Sequence, residues 1–486
     1  MVIRRHSARG SDDALGAREE TADTPRATRR TAVAGGLGIT ALIAFPDVIA
    51  ASTAQAATAG AADGSGSAAT AAAAGGTPHF FLYGTTGPTT HPGVEERRAP
   101  VDGQSAASNL VTGLDVAPVR SADGNTLALV STSAAGTPRA VTLTLVDTST
   151  GVTATQRTLA LPGASSAASI LSKPVFAGTD TVALLVAVSE PSAPRTLHKV
   201  PANGVAAVTT GYAWTTTHQV AYFHRATATF SGPFPLRLGA DPYLALTDAA
   251  ADATHLYLWA VQDFTRIRSA KGSAQPTLTT EFYAVPLGSG TPDLTTASRG
   301  PWPSGVGAQI LATGHVARVV AGRDLEAFSP SDGSLRTVAV APMHEVSAAK
   351  PGSITLESRP DGTVVLTNSA FGRATVLDPA AGFTSVAAID YPRVRYPVRG
   401  ASVSSDGTTL YTLGAAGSGG LNAYRIATGA LTASYTHGES YTGVYQLAGG
   451  NLLTLTAGSR TGLSFFTPGL EYVTAAATDV LVAGVY

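Results

Sequence analysis

Two His/carboxylate pairs lie close together in the second half of the sequence, at His344-Glu345 and at His437-Gly438-Glu439. Imidazole and carboxylate groups bind divalent metals, but a metal site needs at least one further ligand. Adjacent residues on a strand point to opposite faces of a sheet, so His344 and Glu345 can converge only within a loop. We therefore interpret both pairs as polar loop residues and predict no metal site.

Three acids of the same region suggest a second kind of chemistry. Glycoside hydrolysis needs two carboxyl groups roughly 5–10 Å apart across a cleft. Glu345, Asp390 and Glu439 are spaced so that they fall on successive connections between strand units, which makes such a pair geometrically possible. The sequence contains no G-x-S-x-G turn, no phosphate-binding loop and no H-E-x-x-H motif. Catalysis is therefore the alternative and not the preferred interpretation.

Arginine and aromatic residues supply the binding chemistry of the sequence. Guanidinium groups suit carboxylates and phosphates, and flat rings stack on apolar faces. Alternatively, the arginines cap strand ends and pair with neighbouring acids, while the aromatics close the rim of the fold. We predict no catalytic residue and no cofactor. The candidate ligand-binding residues are Trp214, His218, Trp302, His344, Glu345, Arg393, Arg395, His437 and Glu439.

The bulk composition limits the class of partner. Of 486 residues, 44% are hydrophobic and 13% are charged, which is typical of a globular chain with a large core. The net charge of −1 argues against binding to nucleic acid and against electrostatic adhesion to membranes. The chain has no cysteine, which excludes disulfides, thiolate metal sites and a cysteine nucleophile.

The elements that must position these residues are strands. From residue 77 onward, short β-branched runs alternate with Gly, Pro, Asp and Asn, and no amphipathic helix pattern exceeds two turns. The repetition of these units predicts an all-β domain over residues 77–486, a single seven-bladed β-propeller, rather than a sandwich. Residues 80–83 or 480–482 would supply the strand that closes the ring. The second strands of the seven units are predicted to begin near Leu127, Val182, Leu256, Val316, Val364, Leu410 and Leu452.

Two of the units share a longer pattern. Residues 121–127 read Ser-Ala-Asp-Gly-Asn-Thr-Leu and residues 404–410 read Ser-Ser-Asp-Gly-Thr-Thr-Leu, and each precedes a strand that ends at a Thr-Gly turn. The Asp-Gly pair predicts a tight hairpin. The pattern resembles the repeat of YVTN-type β-propellers, Ser-Pro-Asp-Gly followed by Asp-x-x-Thr-Gly, although Ala122 and Ser405 replace the proline. The resemblance implies a rigid ring of blades that present their loops.

In a four-stranded blade, the hairpins between strands 1 and 2 and between strands 3 and 4 lie at one end of the ring. The remaining connections lie at the other end, and here they are longer and contain the candidate residues. Because function tends to reside on loops held by a rigid scaffold, we expect this second end to bind a ligand or a partner. The alternative is a hydrolase or lactonase-like propeller enzyme that acts on a sugar or lactone metabolite. The same end is predicted to contain Arg139, Arg195, Arg323, Arg373 and Arg460.

The N-terminal 56 residues are typical of an export signal. An Arg-rich segment ends at Arg29-Arg30, and the mostly apolar residues 31–44 that follow are too few to span a hydrocarbon core of about 30 Å as a helix. A small-residue A-x-A sequence predicts cleavage after Ala56. Thr28-Arg29-Arg30 resembles the twin-arginine export motif, although Ala32 stands where that family usually has a large apolar residue. An ordinary secretory signal is the alternative.

Residues 57–76, rich in Ala, Gly, Ser and Thr, are predicted to form a flexible linker between the signal and the folded domain. We therefore expect a precursor that meets the export machinery and a mature protein that is secreted or associated with the cell wall. The expected mature form is a monomer without a stable membrane span, and its partner is an extracellular ligand or protein.

Overall fold

A computed structural model provides the structure of the protein, and it describes most of the chain from His79 to Tyr486. Residues 1–78 lie outside the described part, and with them the predicted export signal, the Arg29-Arg30 pair, the cleavage site at Ala56 and the linker. The described ranges are 79–86, 92–98, 108–114, 116–134, 138–199, 207–236, 244–262, 278–288, 293–300, 309–311, 313–320, 324–339, 354–394, 397–414, 420–436, 440–456 and 461–486.

The described residues form strands and turns, without a helix, and so contain no helix long and apolar enough to cross a membrane. The strands of the first half are β1 (His79–Thr86), β2 (Gly93–Arg98), β3 (Ser108–Thr112), β4 (Val119–Arg120), β5 (Thr126–Thr132), β6 (Ala140–Asp147), β7 (Thr153–Ala160), β8 (Ser169–Ala177), β9 (Thr181–Lys199), β10 (Ala207–His224), β11 (Thr229–Leu236), β12 (Leu244–Ala251), β13 (His255–Gln262), β14 (Leu278–Pro286) and β15 (Asp293–Gly300).

The strands of the second half are β16 (Gln309–Ile310), β17 (Val316–Val320), β18 (Asp324–Ser329), β19 (Ser334–Ala339), β20 (Ile354–Ser358), β21 (Val364–Asn368), β22 (Arg373–Asp378), β23 (Thr384–Asp390), β24 (Ala401–Val403), β25 (Thr409–Leu413), β26 (Leu421–Arg425), β27 (Ala430–Tyr435), β28 (Tyr441–Gln446), β29 (Leu452–Thr456), β30 (Thr461–Phe466), β31 (Tyr472–Thr478) and β32 (Val480–Val485).

These strands form eight antiparallel sheets of four, the blades of a β-propeller. Blades 1 to 7 each take four consecutive strands, from β4–β7 to β28–β31, and blade 8 has the order β32, β1, β2, β3. The first strands of neighbouring blades contact one another, for example β4 with β8 and β24 with β28, so the first strand of each blade is the inner one. The prediction of an all-β propeller is confirmed, but the predicted number of seven blades is wrong.

The missing blade is the one that closes the ring. The seven predicted second strands are β5, β9, β13, β17, β21, β25 and β29, and each begins within one residue of its predicted position. Residues 80–83 lie in β1 and residues 480–482 lie in β32, and these two strands pair with each other, Leu82 with Val485 and Thr86 with Val480. Blade 8 therefore takes its first two strands from opposite ends of the domain. No Asp-Gly hairpin joins them, so the repeat pattern could not reveal this blade.

The core lies between the blades, and it explains the continuous apolar runs of the second strands. In β9, Val182, Leu184 and Val186 pack towards blade 1, whereas Ala183 and Leu185 pack towards blade 3. A strand buried on both faces needs apolar residues at every position, unlike a strand with one wet face. The second strands therefore show the least ambiguous hydrophobic signal in the sequence.

The fourth, outer strands differ from the rest of each blade because one edge is unpaired. Strands β27 and β31 contain no charged residue, and Leu431 and Tyr472 are exposed. An exposed strand edge without charged residues can pair with a strand of another chain. In seven of the eight blades, a register shift interrupts the pairing of the third and fourth strands, and the regular pair is β18 with β19. Such bulges bend and twist the edge strand, which protects it.

Candidate functional site

The strands place two sets of connections at opposite ends of the blades. We name the end with the hairpins between first and second and between third and fourth strands the turn end. The end with the connections between second and third strands and between blades is the loop end. Candidate binding residues were predicted at the loop end.

Asp-Gly hairpins occupy the turn end, as predicted. The Ser404 hydroxyl donates a 2.5 Å hydrogen bond to the Asp406 carboxylate, and the Thr408 N–H donates another at 3.0 Å. Ser121 and Asp123 repeat the same bond at 2.6 Å. These donors, the Ser404 hydroxyl first, lower the pKa of Asp406 below its ordinary value. The carboxylates of these hairpins thus stabilise the turns in which they lie.

The predicted ligand-binding residues are only partly covered by the structure. Arg393 lies at the loop end, in the connection between β23 and β24. Trp214 and His218 lie on β10, not on a connection between blades as predicted. The reason is that β9 and β10 extend far beyond the other second and third strands, with 19 and 18 residues. The residues outside the described part are Trp302, His344, Glu345, Arg395, His437 and Glu439.

His218 is buried between blades and does not face solvent. Its exposed fraction is 7%, and it is paired across the sheet with Ala187 and Leu236, which are also buried. Its Nε2 atom has no hydrogen-bond partner among the described residues. Burial lowers the pKa of His218 to about 4, since the charged imidazolium would lose its hydration. The ring is therefore neutral at neutral pH.

Arg393 is exposed, and its guanidinium lies over an aromatic ring. The guanidinium carbon is 5.1 Å from the ring centre of Phe371, which belongs to the turn between β21 and β22. A cation over a ring face is attracted by the ring quadrupole. The two residues come from different connections of blade 5, so the contact brings two parts of the loop end together.

A second arginine and an acid occupy the same corner of blade 5. Arg373, the first residue of β22, lies with its Nη1 3.6 Å from the Asp390 carboxylate at the end of β23. Asp390 is exposed over 78% of its side chain. Gly372 places this turn against Arg393, because a Cβ on Gly372 would lie 2.4 Å from the Tyr391 carbonyl and 3.0 Å from the Arg393 Cγ. Its φ of +81° also favours glycine.

Arg393 belongs to a bridging segment, residues 391–400, of which 395 and 396 lie outside the described part. The first half is fixed to blade 5. The Tyr391 N–H donates to the Gly372 carbonyl at 2.8 Å, and the Val394 N–H donates to the Ser369 carbonyl at 2.9 Å. The Tyr391 side chain is buried with its hydroxyl 3.4 Å from that of Ser369, and burial raises its pKa.

Arg399 fixes the second half of the bridging segment. Its Nη2 donates to the Glu357 carboxylate at 2.8 Å, and its Nε donates to the Ala401 carbonyl at 3.1 Å. The other Glu357 oxygen accepts the N–H of Val403 on the inner strand of blade 6 at 3.0 Å. Both groups of the ion pair are largely buried. Buried ion pairs need hydrogen-bond partners, and both Glu357 oxygens have a donor, one from Arg399 and one from Val403.

The same residue also joins blade 7. The Arg399 N–H donates to the Thr442 carbonyl at 3.3 Å, and the Val444 N–H donates to the Arg399 carbonyl at 3.0 Å. The guanidinium lies 5.5 Å from the ring centre of Tyr445. The described residues of the bridging segment therefore contact three consecutive blades, Tyr391 and Val394 on blade 5 and Arg399 on blades 5, 6 and 7.

The remaining predicted loop-end arginines have other roles or lie outside the described part. Arg139 is buried, and its Nη1 donates to the Ser133 carbonyl at 2.8 Å, so it caps a strand end. Arg195 lies on β9, and Arg323 and Arg460 are not described. Within the described ranges, no group of three His, Asp or Glu residues could hold a metal ion.

Sequence reasoning missed Phe371, Glu357 and Arg399. A signal existed for Phe371, since Phe-Gly immediately precedes the predicted Arg373 at a second-to-third connection. Arg399 directly precedes an inner strand, but its partner Glu357 is on the preceding blade, and nothing local in the sequence indicates that pair.

No protein-family model matches the chain, and no curated protein matches it in sequence. Among solved structures, it is similar in fold to the dihydro-heme d1 dehydrogenase NirN in complex with DHE, with 13% identity, a TM-score of 0.47 and coverage of 84% of this chain and 74% of that one. Apo AztD from Citrobacter koseri has 12% identity, a TM-score of 0.48 and coverage of 84% and 97%. A putative 6-phosphogluconolactonase from Bacteroides uniformis has 13% identity, a TM-score of 0.38 and coverage of 74% and 99%. We take no function from these similarities.

Proposed function

We propose that the protein is an exported, non-catalytic β-propeller that binds an extracellular ligand or partner protein through its loop end. The observation that carries this proposal is the contrast between the two ends. Acids of the turn end accept hydrogen bonds from their own turns, whereas Arg393 and Asp390 at the loop end are exposed. Exposed charges held on a rigid scaffold are available to a partner.

The alternative, a hydrolase or lactonase-like enzyme, requires a pair of acids with different environments. Of the three acids considered for that role, Asp390 is the one that the structure describes. It is exposed, and its described ion-pair partner is the Arg373 guanidinium, not a second carboxylate. No observation on the described residues therefore favours this alternative.

A binding screen tests the loop end directly. The full-length secreted protein is presented to glycan, metabolite and extracellular-protein libraries, together with Arg393→Ala and the matched control Arg425→Ala. Arg425 is an exposed arginine at the turn end of blade 6. We expect Arg393→Ala to lose binding and Arg425→Ala to retain it. Equal binding by all three proteins would contradict a role for the described loop-end corner.

The export part of the proposal has its own test. The precursor is expressed in a bacterium with a twin-arginine pathway, and the extracellular protein is analysed by mass spectrometry. We expect an N-terminus at Ala57, and we expect the double change Arg29→Lys and Arg30→Lys to retain the protein in the cytoplasm. Unchanged export of the double variant would leave an ordinary secretory signal, and a wholly cytoplasmic wild type would contradict export.

A further inference from the structure

We propose that the outer edge of blade 7, strand β31, binds an extended peptide segment of a partner protein that carries a basic residue at each end. The segment would add to the blade as a fifth strand through main-chain hydrogen bonds. This edge is a different surface from the loop end, so the inference goes beyond the proposed function and does not depend on it.

The unpaired edge of β31 is the first argument. The strand is the last of its sheet and pairs with β30 alone. Within the described ranges, no hydrogen bond joins the backbone of residues 472–477 to a residue outside β30. The bulge of this strand lies at Val473, so the residues from Thr474 to Thr478 pair regularly with β30. Alternate N–H and C=O groups of this regular part therefore point away from the sheet, where another strand can accept and donate hydrogen bonds.

The second argument is that β31 lacks the residues that protect other outer strands. In blade 1, the Arg157 Nη1 on β7 donates to the Gln156 carbonyl at 2.8 Å, which places a charge beside the backbone of that strand. The outer strands of blades 2 to 5 contain proline or charged residues, namely Pro233, Pro235, Asp293, Arg299, Arg336 and Asp390. Strand β31 has neither, and its seven residues are Tyr, Val, Thr and Ala. The other outer strands without proline or charge, β27 and β3, are shorter. Strand β31 is therefore the longest outer strand to which another strand can add unopposed.

The charges at the two ends of β31 are the third argument, and they select the occupant. Glu471 directly precedes the strand and Asp479 directly follows it, and both residues are exposed. A partner strand that pairs along the whole of β31 brings its own ends beside these carboxylates, so basic ends are favoured. A second copy of β31 is disfavoured, because antiparallel pairing centred on Ala475 would set Glu471 opposite Asp479 at both ends.

The strand is also held in place at both of its ends. The Tyr472 ring packs edge-to-face against Phe466, with ring centres 5.8 Å apart. The Thr478 hydroxyl donates to the Glu95 carboxylate of blade 8 at 3.2 Å. Because β31 does not have to be ordered when a strand adds to it, binding avoids that entropic cost. Tyr472 and Val473 are 51% and 42% exposed, so they offer apolar contacts to the side chains of the partner.

Fluorescence polarisation with labelled peptides tests this edge on the full-length protein. The probe Lys-Thr-Val-Thr-Val-Thr-Val-Thr-Lys has its lysines eight positions apart, as Glu471 and Asp479 are. We expect saturable binding below about 1 mM, binding weaker by about tenfold when both lysines are replaced by glutamate, and no binding when the central residue is proline. The salt concentration is the same throughout.

Two variants of the protein show where the probe binds. Ala475→Lys should weaken binding by about tenfold, because a lysine on an edge strand opposes the addition of another strand. The matched control is Ala388→Lys, at an exposed position of the outer strand of blade 5, and it should bind as the wild type does. Circular dichroism checks that both variants are folded.

A charge swap at Glu471 separates strand addition from non-specific attraction. Two further probes have the same composition as each other, one beginning with glutamate and ending with lysine, the other beginning with lysine and ending with glutamate. Compared with the wild type, Glu471→Lys should bind one of them more tightly by about tenfold. The preferred probe ends with glutamate if the added strand is antiparallel to β31 and begins with glutamate if it is parallel. Equal affinity of this variant for the two probes would overturn the proposal.

Other outcomes also overturn the proposal. One is the absence of saturable binding of the lysine-ended probe at about 1 mM. Another is equal binding by Ala475→Lys and Ala388→Lys. A wild-type dimer in light scattering that Ala475→Lys dissociates would assign the edge to a second copy instead. Arg393→Ala, at the loop end, should leave peptide binding unchanged, so a failure at β31 leaves the proposed function standing.

Discussion

The two ends of the blades use polar residues in opposite ways. At the turn end, Asp406 accepts hydrogen bonds from Ser404 and Thr408, its neighbours in the sequence. At the loop end, Arg393 contacts Phe371, and Arg399 contacts Glu357 on another blade. Asp406 is therefore held by local contacts that the sequence repeats, whereas these two arginines contact residues distant in the sequence. The difference teaches that the repeat pattern predicts the tight hairpins of the blades but not these contacts of the loop end.

The largest effect is expected at a turn-end glycine that also contacts the next blade. Gly407 has a φ of +72°, and a Cβ there would lie 2.7 Å from the Cδ of Pro360. A side chain at this φ costs about 1–2 kcal/mol, and the clash adds a similar amount. We expect Gly407→Ala to reduce the free energy of unfolding by about 3 kcal/mol. Urea denaturation measures this value.

Gly362 is the matched control for that experiment. It occupies the same Asp-Gly hairpin in blade 5 with a φ of +84°, but a Cβ there would contact no atom within 4 Å. Gly362→Ala should cost about 1–2 kcal/mol. Equal losses for the two variants would show that contact between blades at the turn end adds nothing to local strain.

An effect of similar size, limited to acid pH, concerns the buried His218. Burial lowers the pKa of His218 from its ordinary value of 6.5 to about 4 in the folded protein. The unfolded chain therefore binds the proton more readily than the folded protein does. Stability should therefore fall as the pH drops from about 6.5 towards 4, by up to about 3 kcal/mol. His218→Leu should flatten this part of the stability profile, measured by urea denaturation over a pH series.

The outcome that would contradict this prediction is an unchanged slope. If His218→Leu leaves the fall in stability between pH 6.5 and 4 as it is in the wild type, His218 does not cause that fall, and its ring is open to water.

Acidification below pH 4 should test whether an ionised carboxylate of the turn end stabilises the fold. The hydrogen bonds of Ser404 and Thr408 lower the pKa of Asp406 below 3.8. The ionised carboxylate therefore contributes its full stabilisation of the fold above pH 3.8, and this stabilisation is lost as the pH falls through the lower pKa of the folded state. We expect Asp406→Asn to cost about 1 kcal/mol at neutral pH, where the ionised turn is lost. Acid titrations followed by circular dichroism should show less loss of stability below pH 4 in this variant. An unchanged acid response would contradict the role of Asp406.

The smallest effect is expected at the loop end. Asp390 is exposed and lies 3.6 Å from the half-buried Arg373, and ion pairs with a solvent-exposed partner contribute little. We expect Asp390→Ala to change the free energy of unfolding by less than about 0.5 kcal/mol. A large loss of stability would instead give Asp390 a structural role like that of the turn-end acids.

The scaffold could largely be predicted from the sequence because its signals are local. The second strands β21 and β25 follow Asp-Gly hairpins. They begin at Val364 and Thr409, and the predicted positions are Val364 and Leu410. The eighth blade could not be predicted in this way, since β1 and β32 meet only in the folded ring. The length of β10 is not indicated by the sequence either, so Trp214 and His218 lie on a strand where the sequence predicts a connection.

In the candidate site, too, local features could be predicted from the sequence and contacts between separate connections could not. Arg393 was correctly predicted in the connection between blades 5 and 6, because turn residues and strand patterns on either side mark that connection. Its contact with Phe371 and the support from Glu357 depend on how separate connections pack, which one sequence does not reveal. Most of the other predicted residues lie outside the described part, so their role remains a prediction.

The closing blade has a practical consequence for how the protein can be mounted on a surface. Strand β1 runs from the turn end to the loop end, and its antiparallel partner β32 runs back. The chain before His79 and the chain after Val485 thus both leave from the turn end. A tag placed directly before His79 or after Tyr486 would attach the blades to a sensor chip or bead by their turn end, and Arg393 would face the solution. Immobilisation at these two positions is therefore suited to testing the loop end for ligands.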